Sequence, residues 1–124
     1  MTEQMTWSAR KKIATVFLKK LSNDLPDVLN PESPLPLAVG IKEQIASRYP
    51  SVPPIILDRA ITYWVHRPAY LRSVRDGDHR YNLDGEIQGD ISDDQKEHSR
   101  EKLKVFYKKM EKERAKMKAM KKAA

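Results

Sequence analysis

Arg59, Tyr63, Arg67, Tyr70, Arg72, Arg75 and Arg80 interleave planar guanidinium forks with phenol rings over one short stretch of the chain. A guanidinium holds a phosphate through two parallel hydrogen bonds, and a tyrosine stacks on an unpaired base or gives its hydroxyl to a phosphate or ribose. The mixture suits RNA. A plainer account makes Tyr63 and Tyr70 core aromatics and pairs the arginines with Asp58, Asp76 and Asp78. It competes well for any single residue and less well for the set. A second candidate is the helix start at Gly40 and Ile41, which follows an extended apolar segment containing Pro36. Free backbone N–H groups and the helix dipole can hold a phosphate or another electron-rich group there. Every helix has such an end, so alone it is weak support.

Catalytic chemistry finds less footing. Asp76, Asp78, Asp84, Asp90, Asp93 and Asp94 cluster near His79, but their spacing fits neither an EF-hand loop nor a histidine-bearing metal motif. Four of them fall in expected turns or at a helix start, where Asp is favoured for conformational reasons. His66, His79 and His98 are scattered, and nucleophile-elbow, phosphate-loop and dinucleotide glycine patterns are absent. Without cysteine there is no disulfide framework, thiolate nucleophile or Cys-type zinc site. The expectation is a protein that binds rather than catalyses, with no catalytic residue, metal or cofactor.

Charge supplies a partner class. The net charge is +7, and residues 95–124 hold twelve Lys or Arg against four acids, while residues 1–94 hold twelve against thirteen. A basic C-terminal quarter favours polyanions through counterion release. A solvated helix that only aids solubility explains that tail equally well. No apolar run is long enough to span a bilayer, and the first residues lack a secretory apolar stretch. A cytoplasmic protein without a membrane or small-molecule partner is expected.

These residues need elements to position them. The length of 124 residues and an apolar content of 40% fit one domain with one modest core. Ile13, Val16, Phe17 and Leu21 recur at helical spacing and predict an amphipathic helix over residues 8–21. Residues 23–34 read as a helical turn and loop, and residues 35–39 as extended. Ile41 and Ile45 predict a helix from Gly40 to Tyr49, ended by Pro50. Pro53 and Pro54 start another, running to about Arg67, with Leu57, Ala60, Ile61, Trp64 and Val65 inward and Arg59, Tyr63, His66 and Arg67 along a neighbouring line. Asp76-Gly77 reads as a hairpin turn joining residues 72–75 to 79–83, and Asp84-Gly85 as a further reversal. Ser92-Asp93-Asp94-Gln95 is a capping box opening a last helix, whose Leu103, Phe106, Tyr107 and Met110 dock on the body. Docking should stop near Met110, leaving residues 111–124 as a projecting or fraying extension.

Leu35-Pro36-Leu37-Ala38-Val39-Gly40-Ile41, Tyr70-Leu71, Arg80 with Leu83-Asp84-Gly85, and the stretch from Gln95 through Arg100 with Leu103 stand in one order and at one spacing. Together they resemble the ProQ/FinO family over residues 8–110. The resemblance implies a mainly α fold: a compact domain of five to six helices with a small β-hairpin. Residues 1–7 would be a tail and 111–124 a basic helical extension.

The resemblance further implies a bacterial RNA chaperone acting with small RNAs in post-transcriptional regulation. It would bind terminator-like hairpins with a single-stranded 3′ tail. Tyr70 and Arg80 correspond to a concave face that grips the duplex, and Gly40 and Ile41 to a pocket for the 3′ end. Leu37, Val39, Ile41, Trp64 and Leu103 fall to the core.

Ala38 stands where relatives commonly have lysine, and Asp58 and Thr62 where relatives have basic residues, so Arg59 and Arg67 are candidates to compensate. The RNA-binding set is then Gly40, Ile41, Arg59, Tyr63, Arg67, Tyr70, Arg72, Arg75, Arg80 and Arg100, in a monomer. A basic DNA-binding or nucleoid protein would instead bind matched DNA and RNA hairpins equally. A protein-interaction module would keep its partner in high salt and carry no nucleic acid.

Overall fold

The structure is a computed structural model that describes residues 6–123, so most of the tail expected over 1–7 lies outside the described residues. Helix α1 spans Trp7–Asp24, and its N-cap Thr6 accepts a hydrogen bond from the Ala9 amide through its hydroxyl. The helix is one residue longer at its start and three at its end than its apolar spacing predicts. Its inward line also differs: Ala14, Phe17 and Leu21 are buried, whereas Ile13 and Val16 face solvent. Ala14 and Leu21 lie seven residues apart, two turns of helix, and this line lets α1 approach α3 closely.

The following turn buries Val28 and Leu29. Helix α2, Ile41–Arg48, turns Ile41 and Ile45 inward. Helix α3, Pro54–Val65, begins with proline, whose missing N–H costs nothing at that position. It buries Ile56, Leu57, Ala60, Ile61 and Trp64 between α1 and α2. Tyr49 closes the far side of this layer, with its ring edge-on to Phe17 at 5.5 Å and its hydroxyl donating to Asp24 at 2.6 Å. That hydrogen bond holds the Asp24 carboxyl below its usual range and pushes the Tyr49 phenol up.

The stretch expected to form the first hairpin strand is instead helical. Helix α4 spans Pro68–Asp76 and buries Tyr70, Leu71 and Val74, a helical repeat with proline in the first turn. Gly77 ends it in an extended conformation, so the Asp-Gly pair is no hairpin turn here. A side chain at Gly77 would place its Cβ 2.6 Å from the Ser73 carbonyl oxygen, which excludes any larger residue. The hairpin is formed further on. Strand β1, His79–Tyr81, pairs antiparallel with β2, Ile87–Asp90, and Asp84-Gly85 lies in the turn between them.

Helix α5, Asp93–Ala123, opens on the capping box: the Gln95 amide donates to the Ser92 hydroxyl and the Ser92 amide to the Gln95 side chain, both at 3.2 Å. It packs on α4 through Ser99 and Leu103, with Phe106 and Met110 half-buried and Tyr107 more exposed than its place in the apolar stripe suggests. Residues 111–123 continue the helix and are exposed throughout.

Candidate nucleic-acid interface

Residues 35–39 run as a strap between α3–α4 and the hairpin. Leu37 pairs with Tyr81 in a parallel bridge, with Ala38 N–H donating to the Tyr81 carbonyl at 2.9 Å and Tyr81 N–H to the Pro36 carbonyl at 2.8 Å. Both polar groups of Leu37 are also held. Its amide donates to the Tyr70 hydroxyl at 3.1 Å, and its carbonyl accepts from Arg80 Nη1 at 2.8 Å. Tyr70 and Arg80 thus fix the segment that delivers the chain to α2.

Gly40 makes that delivery in the left-handed region, at φ 86°, and caps α2 without a side-chain acceptor. Ile41 buries its side chain and donates its amide to the Ala38 carbonyl at 3.2 Å, so the open donors of this helix start are the amides of Lys42 and Glu43. Ala38 is buried and Val39 is 81% exposed, the reverse of a core assignment for Val39. Pro36, Leu37 and Ala38 are all buried, and the chain then turns: the hydrogen bond from the Ile41 amide to the Ala38 carbonyl leaves Val39 at the outward tip of that turn. The Glu43 carboxylate stands beside the turn, 3.8 Å from where a Cβ on Gly40 would sit.

Tyr70 and Arg80 also line a groove of about 330 Å³ between α4 and α5, with Leu71 and Val74 as its floor and His98 and Lys102 on its α5 side. The Arg80 guanidinium is only partly committed. Nη1 is on the Leu37 carbonyl, while Nε is buried without a hydrogen-bond partner. The buried Nε lies out of reach of an external anion, so a phosphate would meet Arg80 through the guanidinium's outer Nη groups. Sequence reasoning missed His98 and Lys102. They lie one turn apart on α5, a signal readable only once that helix is docked against α4.

Arg72, Arg75 and Arg100 form a second group around Asp76 and Tyr107. Arg72 Nη1 donates to the Tyr107 hydroxyl at 2.8 Å, and Arg75 grips Asp76 through Nε and Nη2, each at 2.8 Å. The Arg75 hydrogen bonds hold the Asp76 carboxyl below its usual range, helped by the charges of Arg75, Arg100 and Arg72. Reciprocally, Asp76 raises Arg75. Arg100 is engaged by Glu97 one turn earlier.

Arg59, Tyr63 and Arg67 stand apart from both groups. Tyr63 packs half-buried against the core. Arg67 lies over the Trp64 ring at 5.0 Å and lines a groove toward α1 with Lys19, Ser22 and Asn23. The ten predicted residues therefore gather in three places. Of the acids that could have neutralised the arginines, Asp58 pairs with Lys42, Asp78 with Lys96, and only Asp76 with an arginine. Among the described residues no three of His, Asp and Glu converge to hold a metal ion, and no helix is long and apolar enough to cross a membrane.

Comparison with known proteins gives a consistent result. The sequence model of the ProQ/FINO family matches residues 12–118. No curated protein sequence matches. Among solved structures, a FinO-like RNA chaperone from Neisseria meningitidis MC58 superposes with a TM-score of 0.64 at 21% identity, over 72% of this chain and 92% of its own. A ProQ homolog from Legionella pneumophila gives 0.61 at 17% identity, over 86% of this chain and 90% of its own. Both share the overall fold of this chain.

Proposed function

Because this chain belongs to the ProQ/FinO family, we propose that it is an RNA-binding chaperone that grips structured RNA and catalyses no reaction. Its ligand is a hairpin ending in a single-stranded 3′ tail, as at a transcription terminator, and its role is post-transcriptional regulation with small RNAs in the bacterial cytoplasm. The protein acts as a monomer.

The observation that carries this reading is the double use of Tyr70 and Arg80. Both line the α4–α5 groove, and both hold Leu37 in the strap that leads to Gly40. One pair of side chains therefore couples a groove that carries Arg80 and Lys102, with Asp94 as its one acid, to the turn that opens α2. Arg80 and Lys102 would neutralise duplex phosphates, which fixes the position of the RNA without reading its sequence. Arg72 and Arg100 would extend the contact along α4 and α5, with Arg75 beside them but held by Asp76, while Arg59, Tyr63 and Arg67 would add contacts from α3.

At the helix start, the open amides of Lys42 and Glu43 would favour an oxygen-rich group, and the Glu43 carboxylate beside the turn would accept a hydrogen bond from a hydroxyl. That combination suits a 3′-terminal ribose with free hydroxyls and repels a 3′-phosphate.

The test is one titration series at fixed salt with a terminator-like hairpin bearing a 3′-hydroxyl uridine tail. The comparison RNAs are the same hairpin without its tail and with a 3′-phosphate. Preference for the intact tail supports the reading. Equal affinity for all three, or for a matched DNA hairpin, overturns it.

A further inference from the structure

Beyond the Arg80 groove, between the α3–α4 junction and α5, lies a second hollow of about 460 Å³. Its floor is apolar: Leu71 is buried, the Phe106 ring is half-buried and edge-on to Tyr107, and Val105 is 69% exposed. Its rim is cationic. Lys102 is shared with the Arg80 groove, Lys109 stands two turns further along α5, and neither joins an ion pair among the described residues. The one acid on the rim, Glu101, is taken by Lys104 at 3.2 Å. The hollow shares residues with the Arg80 groove and none with the strap or the Gly40 turn.

His66 and His98 complete the rim. His66 Nδ1 lies 2.7 Å from the Thr62 carbonyl oxygen, which can only accept, so Nδ1 carries a proton. In the neutral ring Nε2 is then an acceptor, able to take an N–H from the edge of a base.

An aromatic and aliphatic floor edged by lysines demands a ligand with a flat apolar face and attached negative charge. A purely apolar peptide would cover the floor and leave Lys102 and Lys109 desolvated without counterions, which is costly. A paired base cannot use the floor, because its faces are already stacked within the duplex. We propose that this hollow receives one unpaired nucleobase of the bound RNA, stacked on Phe106 and Val105, with the flanking phosphates held by Lys102 and Lys109. The inference rests on the RNA-binding reading and adds a selection rule to it. Among hairpins with the same 3′ tail, those with an unpaired nucleotide in the lower stem bind more tightly.

The experiment uses the full chain and a set of hairpins with one stem and one 3′ uridine tail, each carrying a single bulged 4-thiouridine at a different lower-stem position. A fully paired hairpin is the control. At the position that reaches the hollow, affinity should exceed the control by about five- to tenfold, the lower part of what stacking one base on protein supplies. Irradiation should crosslink that thiouridine to the segment from His98 to Phe106.

Phe106→Leu, which keeps apolar bulk but removes the aromatic face, should abolish the difference and spare binding of the control. Val105→Ser, at an exposed position, should reduce it without touching the core. Equal affinity across the whole set with tail dependence intact overturns the inference and leaves the RNA reading standing. So does discrimination with crosslinks elsewhere or unchanged in both variants. Failure to bind any hairpin overturns both.

Discussion

The Tyr70 hydroxyl receives the Leu37 amide hydrogen at 3.1 Å, although the two residues come from different parts of the chain and both are buried. No backbone carbonyl takes that amide, so the phenol is its acceptor. A tyrosine that resembles a core aromatic by burial is thus the residue that sets the strap in place.

Replacing Tyr70 with Phe keeps the ring and removes the acceptor, leaving a buried N–H unpaired. The expected cost is about 1–3 kcal/mol of folding stability, read as a lower urea midpoint with an unchanged slope. The same variant should weaken recognition of the 3′ tail more than binding to a blunt duplex, because the strap leads to Gly40 and not to the groove floor. A variant with full stability and full tail preference would show that the hydrogen bond does neither.

The strap also marks where sequence reasoning succeeds and where it stops. Gly40 is legible as a helix opening because Ile41, Ile45 and Pro50 bracket one short helix, and the structure puts Ile41–Arg48 there. Val39 reads as a core residue of an extended segment and lies outward, because the extended segment ends at Ala38 and Val39 sits in the turn that the Ile41 amide closes on the Ala38 carbonyl.

Asp76-Gly77 misleads for a different reason: the pair has hairpin chemistry, but its glycine is required by the nearby Ser73 carbonyl and not by a turn. The helical repeat of Tyr70, Leu71 and Val74 is the contrary signal. For the site, Tyr70 and Arg80 are readable from family spacing. Lys102 and His98 are not, because their place depends on how α5 lies against α4.

Gly40→Ala tests the turn by itself. Space for the new methyl exists, as the nearest atom would be Glu43 Oε2 at 3.8 Å, so any cost is conformational. At φ 86° an L-residue should lose about 1–2 kcal/mol, and Gly40→Asn less, because Asn tolerates the left-handed region better. Equal midpoints for glycine, alanine and asparagine in urea denaturation would contradict the requirement.

Asp76 restrains Arg75, and Asp76→Asn should release it. Its carboxyl is held below the ordinary value of 3.8, first by the Arg75 hydrogen bonds and then by surrounding guanidinium charge. A depressed carboxyl stabilises the fold above its unfolded value and loses that effect only as pH falls through the lower folded one. The pair therefore persists through mildly acidic and neutral pH. With the carboxylate gone, Arg75 can reach a phosphate, so hairpin affinity should rise and the salt slope should steepen by about 0.7–0.9. An unchanged slope would mean that Arg75 does not face the RNA.

The α5 extension separates stability from binding. Residues 111–123 are exposed and helical, and they carry Lys112, Arg114, Lys116, Lys118, Lys121 and Lys122 against Glu111 and Glu113. Past Met110 the helix runs about 20 Å at 1.5 Å per residue, far enough to follow a further stretch of duplex. Deleting residues 111–124 removes no buried side chain among those described, so the thermal midpoint should not fall. If the extension lies along RNA, the deletion should reduce affinity and flatten the salt slope by about 0.7–0.9 for each phosphate that is no longer neutralised. The reduction should grow with stem length, because only a longer stem reaches that far. A deletion that leaves slope and affinity unchanged on long and short stems would make the extension a solvated helix. A lower midpoint would place it in the fold.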